Sequence, residues 1–484
     1  MSRRTQFRLL VLVTIGWLTW AGWSLMDEPE PFTLRVVDDE GRPVANAVVA
    51  AEGRQLGLTG ESGLLEVAPS GGLVEVSAAG HFSSTFTITP PDDGVFDVVL
   101  KALLLRGRVV DPDGTPVADV SVRAGSAEGH SDDEGRFVVR GAEPGTVRVA
   151  RPAWRETTFE WSGGPGEQLV QIEPVIVKAV HMTGEAVEER LDEFLELAET
   201  TELNGLMIDL KAEEGVVYYE SRVPTVAEVG ADQPRYDLAE VVAAAEERDL
   251  YMIGRIVAFQ DPVAARAVPD MAVWDSQTGA PFSSNGQYFL DPTDPQARRY
   301  ALDLAEEACS MGLHEIQFDY VRFPDVRPES VHFDAGVSLD VRAEAIRSFI
   351  REATEVLHPL GCAVGVDVFG FVTTSVDDGG IGQRWEDITS VGDVVSPMIS
   401  PSHYDSGWYG LEDPSARPDV VVDRALTDAV SRSSGRVVIR PWLQDFGYDA
   451  AQVRRQIEVA ESHGMGWMLW NATSQVTVAA LERE

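Results

Sequence analysis

The sequence predicts a multidomain protein. Its largest part is a (β/α)8 TIM barrel, residues 174–484, preceded by two small all-β sandwich modules, 32–101 and 104–173, and an N-terminal membrane segment, 1–26. Three observations carry this reading. After Val175, apolar β-branched runs alternate with amphipathic helical patterns, the signature of parallel strands covered by helices. Before it, a unit of roughly 70 residues occurs twice, with short alternating strands and Asp-Gly turns. Close to the start lies an apolar run without a charge.

That run extends from Leu9 to Leu25, after Arg3, Arg4 and Arg8 and before Asp27, Glu28 and Glu30. Positive charge on the first flank places the N-terminus in the cytoplasm and the rest of the chain outside it. Trp17, Trp20 and Trp23 suit an interface, and a cleavage site after Ala21 is poor because Trp20 and Trp23 flank it. The expectation is an extracytoplasmic protein held to the membrane by an uncleaved helix. Cleavage and secretion is the alternative.

The sandwich repeat is read by aligning "LRVVDDEGRPVANAVV" (Leu34–Val49) with "GRVVDPDGTPVADVSV" (Gly107–Val122), and "GLTGESGLLEV" (Gly57–Val67) with "GHSDDEGRFVV" (Gly129–Val139). The acids of "DPDG" and "SDDEG" read as turn formers rather than calcium ligands. The two modules resemble the carboxypeptidase-regulatory-like, transthyretin-like sandwiches of secreted proteins, which implies a spacer role.

In the barrel region, eight strands are expected at Val175–His181, Leu206–Leu210, Tyr251–Phe259, Glu315–Val321, Ala363–Phe369, Val394–Ile399, Val437–Trp442 and Gly466–Trp470. The clearest helices are Glu185–Thr200, Leu238–Arg248, Pro295–Met311, Asp340–Leu357, Pro418–Ser431 and Ala450–His463. A doubly wound open sheet is the runner-up, weakened by the lack of Gly-x-Gly-x-x-Gly after any strand.

A formal net charge of −40 disfavours nucleic acid and anionic lipid surfaces as partners. Cys309 and Cys362 read as small buried hydrophobes rather than as a bridge. No Gly-x-Ser-x-Gly elbow, His-x-x-x-His or Cys-x-x-Cys occurs, so no serine-hydrolase triad, metal or cofactor is expected. No feature specifies an oligomeric state.

Chemistry on a barrel sits where the strands end. Five predicted strands end in or run into an aspartate: Asp209, Asp261, Asp319, Asp367 and Asp445. Of these, Asp319 is the sharpest, because "EIQFDYVRFP" places it among apolar residues that must be buried on both faces. A buried carboxylate needs a cation or donors, and Arg255, Arg322 and Lys211 are the candidates. Asp261 and Asp445 suit capping or turn roles equally well. Asp209, Lys211, Arg255, Arg322, His403, Tyr404, Trp442, Asp445 and Trp470 are expected to contact a carbohydrate substrate, since flat rings beside charged groups and amides suit sugars.

Six motifs in order resemble a bacterial family of TIM-barrel glycoside hydrolases, largely uncharacterised and distantly α-amylase-like: "NGLMIDLKAEEGVVYY", "YMIGRIVAFQDPVAA", "YFLDPTDPQARRYALDLAEEACSMGLHEIQFDYVRFP", "VGVDVFG", "SPMISPSHY" and "RPWLQDFGY". The resemblance spans about residues 174–475. It implies Asp319 as nucleophile or general acid, Asp367 as the second catalytic carboxylate and Arg322 as the group that orients Asp319. His181 and Ser400 stand where the family pattern has tyrosine. The function expected is hydrolysis of glycosidic bonds by paired carboxylates. A non-catalytic glycan-binding or envelope-scaffold protein is the alternative. A lyase or transglycosylase on acidic glycans, with Arg255, Arg322 and Arg440 receiving a substrate carboxylate, is a third reading.

Overall fold

The computed structural model describes residues 31–482 apart from 69–71, 89–93, 328, 329, 334, 337, 434 and 435. The expected membrane segment, residues 1–26, lies outside the described residues. Among those described, no helix is long and apolar enough to cross a membrane. The chain divides into two compact units; the second comprises Val110–Ala118, Ala150–Glu156 and Gln171–Glu484.

In the first unit the sequence repeat becomes a repeat of topology. Phe32–Asp38 lies between Leu64–Val67 and Val95–Leu100, and the companion sheet runs Arg54–Leu58, Val48–Ala51, Gly72–Ser77, Ser84–Ile88. The second copy has the same orders: Arg136–Arg140, Leu104–Val110, Glu167–Gln171, then Ala127–His130, Ser121–Ala124, Gly145–Ala150, Thr157–Trp161. Alternation dictates the buried faces, as in Phe32, Leu34 and Val36. The "D-x-x-G" turns are built alike. Asp38 Oδ1 accepts the amides of Glu40 and Arg42, and Asp111 Oδ1 those of Asp113 and Thr115.

The second unit holds a closed barrel of eight parallel strands: β1 (Lys178–Met182), β2 (Gly205–Lys211), β3 (Tyr251–Val257), β4 (Glu315–Asp319), β5 (Ala363–Phe369), β6 (Val394–Ile399), β7 (Trp442–Gln444) and β8 (Trp467–Trp470). Pairing of β1 with both β2 and β8 closes the ring. The strands are buried on both faces, as the apolar runs require; every residue of β2 and β4 is buried. The seventh strand is broken. Val438–Ile439 and Trp442–Gln444 pair with β6 separately, around Pro441, which has no amide to donate.

The helices follow the expected spans closely: α1 (Gly184–Thr200), α2 (Leu238–Glu246), α3 (Pro295–Ser310), α4 (Leu339–Leu357), α5 (Pro418–Arg432) and α6 (Ala450–Ser462). Side-chain caps mark five of their starts: Thr183, Asp237, Asp294, Ser338 and Asp449, the last in a capping box with Gln452.

Cys309, near the end of α3, and Cys362, just before β5, are joined in a disulfide, with Cα atoms 6.0 Å apart. This corrects the reading of two separate buried thiols. Helix and strand lie far apart in sequence, and only barrel closure brings them to bridging distance.

Candidate active site

Below the mouth, the barrel interior is apolar, with Val177, Ala179, Met207, Ile253, Trp442 and Met468 in one cluster. At the base, Arg440 donates to both oxygens of Glu315 at 2.9 and 3.0 Å, and Tyr251 donates to Glu315 Oε2 at 3.1 Å. Arg440 is therefore a buried structural partner, and the expectation that it receives a substrate carboxylate is corrected.

Above this cluster, register assembles the charges. Asp209 on β2 pairs with Arg255 on β3. Val257 on β3 pairs with Asp319 on β4, and Phe318↔Val366 makes Asp319 and Asp367 the next neighbours on β4 and β5. Arg255 is the hub. Its Nη1 donates to Asp209 Oδ1 at 2.8 Å, its Nη2 to Glu213 Oε1 at 2.5 Å and to Asp319 Oδ2 at 2.6 Å, and its Nε to Asp319 Oδ2 at 3.0 Å. The guanidinium also lies 5.3 Å from the Trp470 ring centroid. Burial works against the charge on Arg255, but Glu213, Asp209 and Asp319 outweigh it and hold its pKa well above the ordinary value. Burial likewise opposes ionisation of Asp209, yet His181 and Arg255 keep its carboxyl below the usual range. His181 Nε2 meets Asp209 Oδ1 at 2.9 Å, and its ring stacks on Trp470 with centroids 4.4 Å apart.

Asp319 is 6% exposed and opens onto a cavity of about 560 Å³. Its other oxygen, Oδ1, accepts the Tyr320 amide at 2.7 Å. Tyr320 has φ of 51°, a conformation that costs a bulky residue roughly 1–3 kcal/mol and recurs at functional sites. The turn ends the strand at Asp319 and lays the Tyr320 ring on the cavity wall.

Asp367 differs. It is 1% exposed and does not line the cavity. Its Oδ1 accepts from Gln317 Nε2 at 2.7 Å and Trp442 Nε1 at 2.5 Å, while Oδ2 has no hydrogen-bond partner among the described residues. Burial, reinforced by the negative charge of Asp319, raises its pKa well above the carboxylate range. Gly365 makes this possible, because a Cβ there would collide with Gln317 Oε1.

The remaining expected residues separate clearly. His403, Tyr404, Trp442 and Trp470 line the cavity, joined by Phe369 and Trp408. The Tyr404 hydroxyl packs against Gly370, where any side chain would strike it. Arg322 also lines the cavity, but it does not orient Asp319. Its guanidinium sits 5.0–5.5 Å from the rings of Tyr320, Phe369 and Phe289 and donates to the Phe323 carbonyl at 3.1 Å. Lys211 is a correction. A bulge after Asp209 shifts its pairing to Ile256, and its Nζ turns to Asp261 Oδ2 at 2.9 Å and the Val257 carbonyl at 2.7 Å, away from the cavity. Asp261 itself caps a helix, accepting the amides of Val263 and Ala264. Asp445 is a second correction: its Oδ2 accepts the Thr477 amide at 2.9 Å, and it does not line the cavity.

Sequence reading missed Glu213. It sits in "KAEEG", beyond the end of β2, where two adjacent acids look like an ordinary solvated turn. Its side chain is 30% exposed. Among the described residues, no group of three His, Cys, Asp or Glu is placed to hold a metal ion.

Residues 179–476 match the family model described as "Putative glycosyl hydrolase domain". Among solved structures, the chain is similar to a hypothetical protein from Ruminiclostridium thermocellum, with 34% identity over 39% of this chain and 97% of that one, TM-score 0.36. It is also similar to the glycoside hydrolase domain of PgaB (BpsB) from Bordetella bronchiseptica, with 14% identity, coverage of 62% and 95%, and TM-score 0.47. A third is the glycoside hydrolase domain of PelA from Pseudomonas aeruginosa, with 11% identity, coverage of 62% and 97%, and TM-score 0.38. No curated protein matches.

Proposed function

Because the chain belongs to that glycosyl hydrolase domain family, we propose that it hydrolyses glycosidic bonds of a poly- or oligosaccharide outside the cytoplasm, with Asp319 and Glu213 as the working carboxylates. The observation that carries this is their shared nitrogen. Glu213 Oε1 and Asp319 Oδ2 both bond Arg255 Nη2, at 2.5 and 2.6 Å, so the two oxygens are separated by no more than the length of two hydrogen bonds. That upper bound lies below the roughly 6.5–9.5 Å that leaves room for water in inverting glycosidases, which favours the retaining course.

In this reading Asp319, oriented by Arg255, attacks the anomeric carbon, while Glu213, held to Arg255 through Oε1, delivers a proton from Oε2 to the departing glycosidic oxygen. A glycosyl ester on Asp319 results. Glu213 then takes a proton from water, the hydroxide attacks the same carbon, and Asp319 leaves. Glu213 is assigned the proton because, of the three carboxylates on Arg255, it is the most open to the cavity. Trp470 and Trp408 supply faces for sugar rings. Asp367, expected as the second catalytic acid, is buried and does not line the cavity, and burial with the negative charge of Asp319 raises its pKa.

Extracytoplasmic location is supported by the charge-free run Leu9–Leu25 and by the Cys309–Cys362 disulfide, since such bonds persist in oxidising compartments. The acidic-glycan lyase reading loses two of its three arginines, because Arg255 and Arg440 are engaged by protein carboxylates. The test is a polysaccharide panel with the purified protein and its Asp319→Asn variant. Cleavage that vanishes in the variant supports the assignment. A wild-type protein that binds a glycan without ever cleaving it favours the binding-protein reading instead.

A further inference from the structure

A second cavity, of about 570 Å³, opens at the barrel mouth beside the first, about 560 Å³. The two share three walls: Glu213, Tyr320 and Trp470. Asp319 faces the first lobe, and His181 and Asp209 face the second. Resting on the hydrolase reading above, we propose that the two lobes form one cleft that takes an internal segment of a glycan chain, so that cleavage occurs within the chain rather than at its end.

The argument is geometric. An enzyme that removes terminal units needs a wall just beyond its catalytic carboxylates, to stop the chain end. Here space continues on both sides of Glu213, and each lobe alone falls in the roughly 300–1,000 Å³ range that holds a drug-sized ligand, larger than one pyranose ring. Trp470 sits at the junction. Stacked on His181 and set edge-on to Trp442 with centroids 5.5 Å apart, it is a fixed ring over which a chain passes from lobe to lobe.

The second lobe also sets the charge of that chain. Its walls carry Glu185, Glu189 and Glu214. Its two arginines are paired within the protein, Arg190 to Glu193 and Arg235 to Glu188, at 2.8 and 2.9 Å. A uronate in this lobe would meet like charge, so the substrate class is a neutral or amine-bearing polysaccharide.

The experiment follows the size of products released from a soluble polysaccharide that the full chain cleaves, labelled at its reducing end. Oligomers of intermediate length early in the digest are expected; release of only mono- or disaccharides from one end overturns the inference and leaves the hydrolase reading standing. Ala472→Trp, at an exposed position on the second lobe, should lower turnover of the polymer at least tenfold relative to turnover of a short aryl glycoside. An equal effect on both substrates overturns the second lobe's role. A uronic-acid polymer as the best substrate overturns the charge assignment. Failure to cleave any glycan overturns both readings together.

Discussion

Arg255 holds Asp319 by two hydrogen bonds to a single carboxylate oxygen, Nε at 3.0 Å and Nη2 at 2.6 Å, and leaves Oδ1 to the Tyr320 amide. Both oxygens are thus fixed by donors that do not move with substrate, and the carboxylate is oriented before any sugar arrives.

The first prediction concerns this cation. Arg255→Met leaves Asp209, Glu213 and Asp319 close together without their guanidinium. Breaking a buried pair in this way costs about 3–5 kcal/mol, so urea denaturation should show a lower midpoint by that equivalent. Arg255→Lys keeps a charge but cannot span three carboxylates, so it should retain more stability than activity.

The second separates the two acids that flank Asp319. Glu213→Gln should lower turnover by about 10²–10⁴-fold, the usual contribution of a general acid. Asp367→Asn should keep most of the activity, because an asparagine oxygen still accepts from Gln317 and Trp442. Kinetics on the same substrate decides; a larger loss for Asp367→Asn would make Asp367 the proton donor.

The third is a pH dependence. The folded-state pKa of Asp367 lies above its unfolded value, so between the two the folded protein binds more protons and wild-type stability falls as pH rises. Each pH unit within that window costs up to about 1.4 kcal/mol. Asp367→Asn removes this contribution. Its stability relative to wild type should therefore improve from pH 4 to pH 7 in denaturant titrations, and a difference that stays flat would show Asp367 ionised in the fold. Asp209, held below its ordinary pKa, acts oppositely: its contribution is present at neutral pH and is lost as pH falls through the acid range.

The fourth concerns the crosslink. Cys309 and Cys362 are 53 residues apart, a loop for which chain entropy predicts about 4 kcal/mol of stabilisation. Reduction, or Cys309→Ala with Cys362→Ala, should lower the thermal midpoint. Unchanged melting under reducing conditions would indicate that the thiols are not joined in solution.

Much of this protein was legible one residue at a time. Period-two and 3.6-residue patterns determined the elements and therefore the barrel, because each signal is local. The placement of Asp319 at a strand end followed from the same pattern. What the chain alone did not determine was which charges meet. Glu213 looked like a turn acid until the loop after β2 folded back over Arg255, and Lys211 looked like a site residue until a one-residue bulge turned it away. Asp367 carries the same residue type as Asp319, yet is buried against Trp442, where burial and the charge of Asp319 raise its pKa. The disulfide likewise waited for α3 and β5 to pack. Pairing at a barrel mouth depends on register and closure among strands distant in sequence, and a carboxylate's role depends on the cation, donor or apolar wall that closure sets beside it.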